Sequence, residues 1–315
     1  MTTIRTLRFH EYGEPVEVLR LERIEAPSPA AGRIRAVVHA CGLNPADWAL
    51  CRGLFPGNLP RGIGLDVSGI VDAIGEGVKD VAVGDRVVGA ADYAGAPIAG
   101  ASDHAIMNYW AKVPAELDLV RAAALPLVVE TAFRSLESLR ITAGQVILIH
   151  GAGTMVGFAA VQLALMRGAH VIATAGETYA ERLRALGAKV TSYGEGMVER
   201  VREIAGAPVE LVLDTAPPSG VLPDLVRIGG GDPRRVLTVT DFAASAELGV
   251  RNSFGEDTTL RYDMLSEFAR LAAEGKLTVP IARTFALEDW REAHDISQSG
   301  HARGKIVLLP GGAAE

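Results

Sequence analysis

Cysteine is scarce in this chain. Cys41 and Cys51 are the only two among 315 residues, too few for a disulfide framework, and both are expected to be buried or incidental thiols. The N-terminal stretch MTTIRTLRFHEYG lacks the basic block and the following apolar block of a secretory signal. The longest apolar helical stretch, near residues 155 to 166, is too short to span a bilayer. A cytoplasmic protein with no membrane partner is the expectation. Positive charge is in deficit as well. With 31 Lys and Arg against 38 Asp and Glu, the formal net charge of −7 argues against nucleic acid as a main partner and leaves room only for a local basic pocket. Long polar tracts and internal repeats are absent, and the one low-complexity segment is the terminal GGAAE. With 49% hydrophobic residues, the chain can bury a large core and is long enough for two domains.

The most informative stretch runs from Val146 to Ala175, VILIHGAGTMVGFAAVQLALMRGAHVIATA. Val146 to Ile149 is an apolar run of strand length, Gly151 and Gly153 open a turn, and Met155 to Arg167 is uncharged until its last residue, as a helix buried against a sheet should be. Gly168 closes that helix and His170 to Ala175 supplies a second strand, which predicts a βαβ unit with parallel strands. Glycines in such a turn let the backbone approach a pyrophosphate, and the N–H groups and dipole at the helix start favour its negative charge. The glycines Gly151, Gly153 and Gly157 stand at the first, third and seventh places, so a strict G-x-G-x-x-G is not present. Similar turns occur in α/β proteins that bind no nucleotide.

Residues 1 to about 120 alternate short apolar runs with Gly and Pro, the pattern of a β-rich region. Strands are predicted at Thr6-Phe9, Val16-Arg23, Arg33-Ala40, Asp66-Ile74 and Arg86-Gly89. From Asp118 the character becomes helical, with Pro126 breaking or kinking the run. Past the βαβ unit, helices at Tyr179-Leu186, Met197-Ala205 and from Ser219 alternate with strands at Lys189-Ser192, Val209-Asp214 and Val236-Thr240, a doubly wound α/β pattern. Residues 248 to 260 are assigned loosely to a sixth strand and a loop. The tail reads as helix Tyr262-Glu274, strand Ala282-Phe285, helix Leu287-Gln298 and strand Lys305-Leu309.

Laid out in this way, the chain resembles the zinc-free, quinone oxidoreductase or zeta-crystallin-like branch of the medium-chain dehydrogenase/reductase superfamily over almost its whole length. The resemblance rests on EYGEPVEVL, GLNPADW at 42 to 48, GLDVSGIVDAIGEGV at 64 to 78, VGDRVVG at 83 to 89, the glycine-rich turn, LGA at 186 to 188, LVLDTA at 211 to 216 and GHARGKIVLL at 300 to 309. It implies an α/β fold: a Rossmann sheet inserted into a β-rich, GroES-like catalytic domain. The expected division is residues 1–121 with 276–315 for the catalytic domain and 122–275 for the dinucleotide-binding domain.

The superfamily also holds zinc enzymes, so ligand positions decide the metal question. Where zinc members carry a ligand cysteine this chain has Asn44, and where they carry Gly-His-Glu it has Gly64-Leu65-Asp66. His39 and Cys41 share a strand face without a third partner, and no metal is expected. The cofactor expectation is NADPH. NAD-preferring Rossmann proteins place a carboxylate at the end of the second strand for the ribose 2′-hydroxyl, and Thr174 occupies that place here. Glu177 and the lack of a nearby lysine count against this, and Arg182 is either the basic residue for the phosphate or part of a solvated face. By resemblance, the cofactor-binding positions are Asn44, Thr131, Gly151, Gly153, Thr154, Met155, Val156, Gly157, Thr174, Gly176, Arg182, Tyr193, Thr215, Ala216, Thr238, Val239, Thr240 and Lys305. Glu130 stands where relatives usually have glycine.

The activity implied is hydride transfer to a quinone or an α,β-unsaturated carbonyl, probed against two alternatives: an enoyl-thioester reductase, and a non-catalytic NADPH-binding protein of crystallin type. Asn44 is the expected donor to the developing oxyanion, although an asparagine before proline also forms ordinary turns. Trp48 is expected as an apolar pocket wall for a flat acceptor. Many relatives carry Tyr or Lys where this chain has Ala49, so one pocket donor is missing. Acceptor-pocket walls are expected from residues 52 to 61 and 90 to 104, and a homodimer is the family's common state. Ser102-Asp103-His104 has hydrolase residue types, but consecutive residues on one loop do not form the relay.

Overall fold

The computed structural model describes residues 2–206, 209–255 and 259–311; residues 312–315 of the terminal GGAAE and residues 256–258 of the loosely assigned 248–260 stretch lie outside them. The chain divides into two compact units, Met1–Leu127 with Tyr262–Glu315, and Val128–Arg261.

The second unit holds a six-stranded sheet in the order Lys189–Thr191, His170–Thr174, Val146–His150, Leu211–Asp214, Val236–Thr238 and Arg251–Asn252, with every pairing parallel. This is the doubly wound Rossmann order, with its reversal at Val146–His150. The helix Met155–Met166 follows that strand, and eight consecutive residues from Gly157 to Ala164 are buried. An uncharged sequence with no polar face permits this, because a helix laid on a sheet and covered by neighbours has no side left for water. The helix Phe242–Leu248 has no counterpart in the sequence reading, and the sixth strand is only two residues long.

The first unit holds a three-stranded antiparallel sheet, Arg20–Glu25, Thr3–Phe9 and Arg61–Gly62, and a larger sheet in the order Ile281–Ala286, Lys305–Leu309, Ile34–Leu43, Asp66–Ile74, Arg86–Ala91 and His104–Lys112. His104–Lys112 returns to pair with Ile34–Leu43, so four of these strands close on one another. The predicted strand Val16-Arg23 is instead a turn of helix, Pro15–Val18, then the strand Arg20–Glu25. Pro15 at the first helical position starts that turn, since its missing N–H is no loss there. Pro126 breaks the helical run as expected, since the helix Leu119–Ala123 ends before it and the helix Pro126–Leu139 begins on it.

The boundaries differ from the expected 122 and 275 for physical reasons. The Leu127 N–H donates to Asp66 Oδ1 at 2.8 Å and Ser68 Oγ donates to the Leu119 carbonyl at 2.5 Å, which ties the first part of that stretch to the β-rich unit. Tyr262 stacks on Tyr109 with ring centroids 5.0 Å apart, and the helix Leu265–Ala273 buries Leu265, Phe268, Ala269 and Ala272 in the same unit. Among the described residues, no helix is long and apolar enough to cross a membrane.

Candidate active site

In the second unit the strand Val146–His150 delivers the chain into its turn at Gly151, whose φ of 75° lies in the left-handed region. Two glycines there are fixed by packing. A Cβ on Gly151 would meet Ala216 N at 2.6 Å, and one on Gly157 would meet Gly151 O at 2.5 Å and Thr215 Oγ1 at 2.6 Å. Gly153 differs: a Cβ there would meet only Tyr179 Cδ2, at 3.7 Å. Its outer side is therefore the open face of the turn. Thr154 caps the helix by accepting from the Gly157 N–H at 3.0 Å and donates to Thr215 Oγ1 at 3.1 Å. Thr215 in turn reaches the carbonyls of His150 and Gly151. Met155 and Val156 open the helix, where N–H groups have no preceding intrahelical carbonyl. These residues fit a pyrophosphate: a backbone cradle, an open glycine face and a helix start.

Thr174 does something other than face a ribose. Its side chain is fully buried, accepts from the Gly151 N–H at 3.1 Å and pairs with His150 Nδ1 at 2.8 Å. The hydroxyl is spent on holding the glycine turn to the neighbouring strand end. Burial holds His150 at about 4, so its ring is neutral at physiological pH. His150 also borders a cavity of about 420 Å³ lined by Tyr193, Glu195, Ser219, Asp224 and Arg227 among others. Of these only Tyr193 was expected from the sequence. Tyr193 is 60% exposed, and its hydroxyl lies beside Gly176, the uncapped start of the helix Glu177–Leu186. The Arg182 guanidinium lies over the rings of Phe158 at 5.4 Å and Tyr179 at 5.9 Å.

At the neighbouring strand ends Asp214 is buried and pushed up to about 6, first by desolvation. It accepts from Thr238 Oγ1 at 2.9 Å and from the Ala216 N–H at 3.2 Å, while Thr240 Oγ1 donates to the Ala216 carbonyl and the Val239 N–H to the Asp214 carbonyl. Thr215, Ala216 and Thr238 to Thr240 are thus brought together, with the buried Thr238 hydroxyl committed to this lattice. Thr131 is half-buried on the helix Pro126–Leu139. Its neighbour Glu130, in place of the usual glycine, is buried in an ion pair with Arg134 at 2.6 Å and accepts from the Arg261 N–H.

In the first unit, Asn44 starts the helix Pro45–Cys51, and its N–H donates to Asp47 Oδ2 at 2.7 Å. Asp47 Oδ1 accepts from the N–H groups of Gly64 and Leu65, at 2.9 and 2.8 Å. The Asn44 amide donates to Asp66 Oδ2 at 3.0 Å and to the Gly42 carbonyl at 3.3 Å, and Lys305 Nζ donates to Asn44 Oδ1 and, at 2.9 Å, to Asp66 Oδ2. All four side chains are buried. Burial first, then the Asp66 charge, pushes Asp47 up to about 6, and the same burial drives the Cys41 thiol well up.

Two expectations are corrected here. Asn44 keeps no spare donor for an acceptor oxygen, because its amide hydrogens already face Asp66 and Gly42. Trp48 is not a pocket wall. It is fully buried, its Nε1 donates to Ser297 Oγ at 2.9 Å, and its ring meets His294 edge-on at 4.8 Å. Both partners lie on the helix Trp290–Gln298, so the indole is spent on packing two helices together. A zinc ion does not fit these residues. Asn44 and Leu65 offer no thiolate or imidazole, and an ammonium already stands against the Asp66 carboxylate. Among the described residues no three His, Cys, Asp or Glu side chains converge as a metal site.

Two family models match the chain: a zinc-binding dehydrogenase model over residues 103–308 and an alcohol dehydrogenase GroES-like domain over residues 30–112. The chain belongs to the medium-chain dehydrogenase/reductase superfamily. Within it, similarity is to the quinone oxidoreductase branch: the quinone oxidoreductase of Lama guanicoe is 31% identical, with 97% of each chain covered. The human quinone oxidoreductase is 30% identical over 97% of this chain and 98% of its own. The structure of the quinone oxidoreductase from Coxiella burnetii superposes with a TM-score of 0.82 at 28% identity, covering 98% of this chain and 99% of that one. As a member of this superfamily the chain is an oxidoreductase acting on a small molecule with a nicotinamide cofactor.

Proposed function

We propose that this member of the superfamily is a zinc-independent, NADPH-dependent reductase of quinones or α,β-unsaturated carbonyls. The observation that carries the reading is the Lys305 ammonium bonded to Asn44 and Asp66, where zinc relatives hold their metal ligands. Without a Lewis acid, the acceptor must disperse the charge it gains, as a conjugated carbonyl or a quinone does. The names of the most similar relatives point the same way.

When bound, the cofactor supplies the hydride. The chain's own residues bind and orient it. The open side of Gly153 and the helix start behind Thr154 receive the pyrophosphate, and the cavity beside His150 and Tyr193 receives the adenosine end. The strand His170–Thr174 does not itself end in a carboxylate, and although Glu177 opens the next helix, the uncapped backbone start at Gly176 beside the Tyr193 hydroxyl offers donors to a 2′-phosphate. Asn44, given its inward amide, acts as a positioning residue that joins the helix Pro45–Cys51 to Lys305. The proposal includes a homodimer, since Arg251–Asn252 is an edge strand flanked by the exposed rings of Phe242 and Phe254.

The test is oxidation of NADPH and NADH with benzoquinone, simple enones and an enoyl thioester, before and after chelation. Turnover of quinone or enone that survives chelation is expected. Cofactor binding with no turnover would make the chain a binding module, and turnover of the thioester alone would make it an enoyl-thioester reductase.

A further inference from the structure

We propose that Arg61 is a recognition site for a carboxylate carried by the hydride acceptor; this rests on the reading of the chain as a reductase. Arg61 pairs with Phe9 across two antiparallel strands and is only 1% exposed. Its guanidinium lies 5.9 Å from the Phe9 ring centroid and 5.5 Å from that of Tyr93. One nitrogen, Nη1, donates to the Phe55 carbonyl at 2.8 Å. The other two, Nε and Nη2, are buried with no hydrogen-bond partner, and Arg61 makes no ion pair among the described residues. Arg61 therefore differs from the buried Arg134 and Lys305, each of which faces a carboxylate.

A guanidinium taken out of water and given one neutral acceptor is strongly unfavourable, and contacts with two aromatic rings recover only part of its hydration. The carboxylate in the adjoining loop is already committed: Asp92 accepts from Arg33 Nε at 2.7 Å and from the Gly95 N–H at 3.0 Å. The unsatisfied edge also has a particular shape. Nε–H and one Nη2–H point side by side, the fork that takes both oxygens of a carboxylate at once. A carboxylate is therefore the partner this edge fits.

The cover over the guanidinium is the 53–60 segment. Its Phe55 carbonyl holds Nη1, and a Cβ on Gly57 would lie 3.1 Å from the same nitrogen. Phe55 itself sits at φ 51°, a left-handed conformation that a side chain with a Cβ adopts at a cost. Strain at that residue beside an unpaired buried charge is the arrangement of a clamp that settles when its ligand arrives. The residues involved, 52 to 61 with Tyr93, are the stretches expected from the family resemblance to wall the acceptor pocket.

The experiment compares acetylacrylate, an enone with a carboxylate, with ethylideneacetone, its neutral counterpart, on the full chain with NADPH. The wild type should show the higher kcat/KM for acetylacrylate, and Arg61→Met should reduce that preference by roughly tenfold or more, with Arg61→Lys between the two because it keeps the charge and loses the fork. Levulinate, the saturated keto acid, should bind the wild type in calorimetry and fail to bind Arg61→Met. Equal kcat/KM for the two enones in the wild type, or levulinate binding that ignores the substitution, overturns the proposal. If neither enone is reduced, the reductase reading fails, while levulinate titration of wild type and Arg61→Lys still decides the anion site. Should Arg61→Met not fold, the same titration of wild type stands alone, and no binding there rejects the site.

Discussion

Lys305 Nζ lies 2.9 Å from Asp66 Oδ2, and both side chains are buried although 239 residues separate them in the chain. Removing one partner of such a pair leaves the other as an uncompensated charge. Lys305→Met should therefore cost about 3–5 kcal/mol of unfolding free energy, and adding Asp66→Asn should restore much of it. Urea denaturation of both variants checks this. A single variant as stable as the parent would show that the pair is not desolvated in solution.

Asn44→Ala removes an amide that joins Asp66, Gly42 and Lys305. A loss of about 1–3 kcal/mol in stability is expected, because polar groups left behind are buried. Affinity for NADPH, measured by calorimetry, should stay within about threefold of wild type, a difference under 1 kcal/mol. A large fall in turnover with full stability would return the amide to the acceptor.

Gly157→Ala should abolish cofactor binding. The new Cβ would lie 2.5 Å from the Gly151 carbonyl, so the helix must move away from the turn that it closes. Gly153→Ala meets nothing closer than 3.7 Å, and should fold normally while weakening NADPH by crowding the open face. Equal cofactor affinity in Gly153→Ala and wild type would mean that the pyrophosphate does not pass there.

Stability against pH carries opposing contributions. Asp47 and Asp214 titrate at about 6 when folded against an ordinary 3.8, so the unfolded chain ionises first and stability falls as pH rises between those values. His150, held at about 4 against 6.5, contributes stability that is complete above 6.5 and is lost as pH falls toward 4. His150→Gln should remove only the second effect, leaving a variant whose urea midpoint falls more steeply than that of wild type from pH 4 to 6. Parallel curves would show that burial does not set the His150 charge.

Arg182→Ala tests how a 2′-phosphate is read. The guanidinium rests on Phe158 and Tyr179, one residue layer from the open Gly153. If it reaches a phosphate, the substitution should weaken NADPH about tenfold, or about 1.4 kcal/mol, and leave NADH nearly constant. Equal effects on both cofactors would limit the residue to packing.

The βαβ turn was legible in the sequence because an uncharged helix and left-handed glycines leave a local signature that needs no partner. The strands Asp66–Ile74 and Lys305–Leu309 were legible for a similar reason, since apolar runs between turn residues fix them. Thr174 and Trp48 were misplaced because their partners, His150 with Gly151 and Ser297 with His294, come from elsewhere in the fold. Nothing in the spacing of residues 44, 47, 66 and 305 shows that four polar side chains share one buried site. The cavity beside His150 was hidden likewise, as Glu195, Asp224 and Arg227 read as ordinary surface charges.

The Lys305 strand gives the molecule an order of assembly. A chain emerging from the ribosome presents Asn44, Asp47 and Asp66 early, and the strand Lys305–Leu309 follows only after all of Val128–Arg261 has been synthesised. Until then the Asp66 carboxylate lacks the ammonium it faces in the fold, and the strand Ile34–Leu43 lacks its neighbour along Cys41 to Leu43. The Rossmann unit is complete in the nascent chain before the β-rich one, whose polar centre closes only once Lys305 has been made.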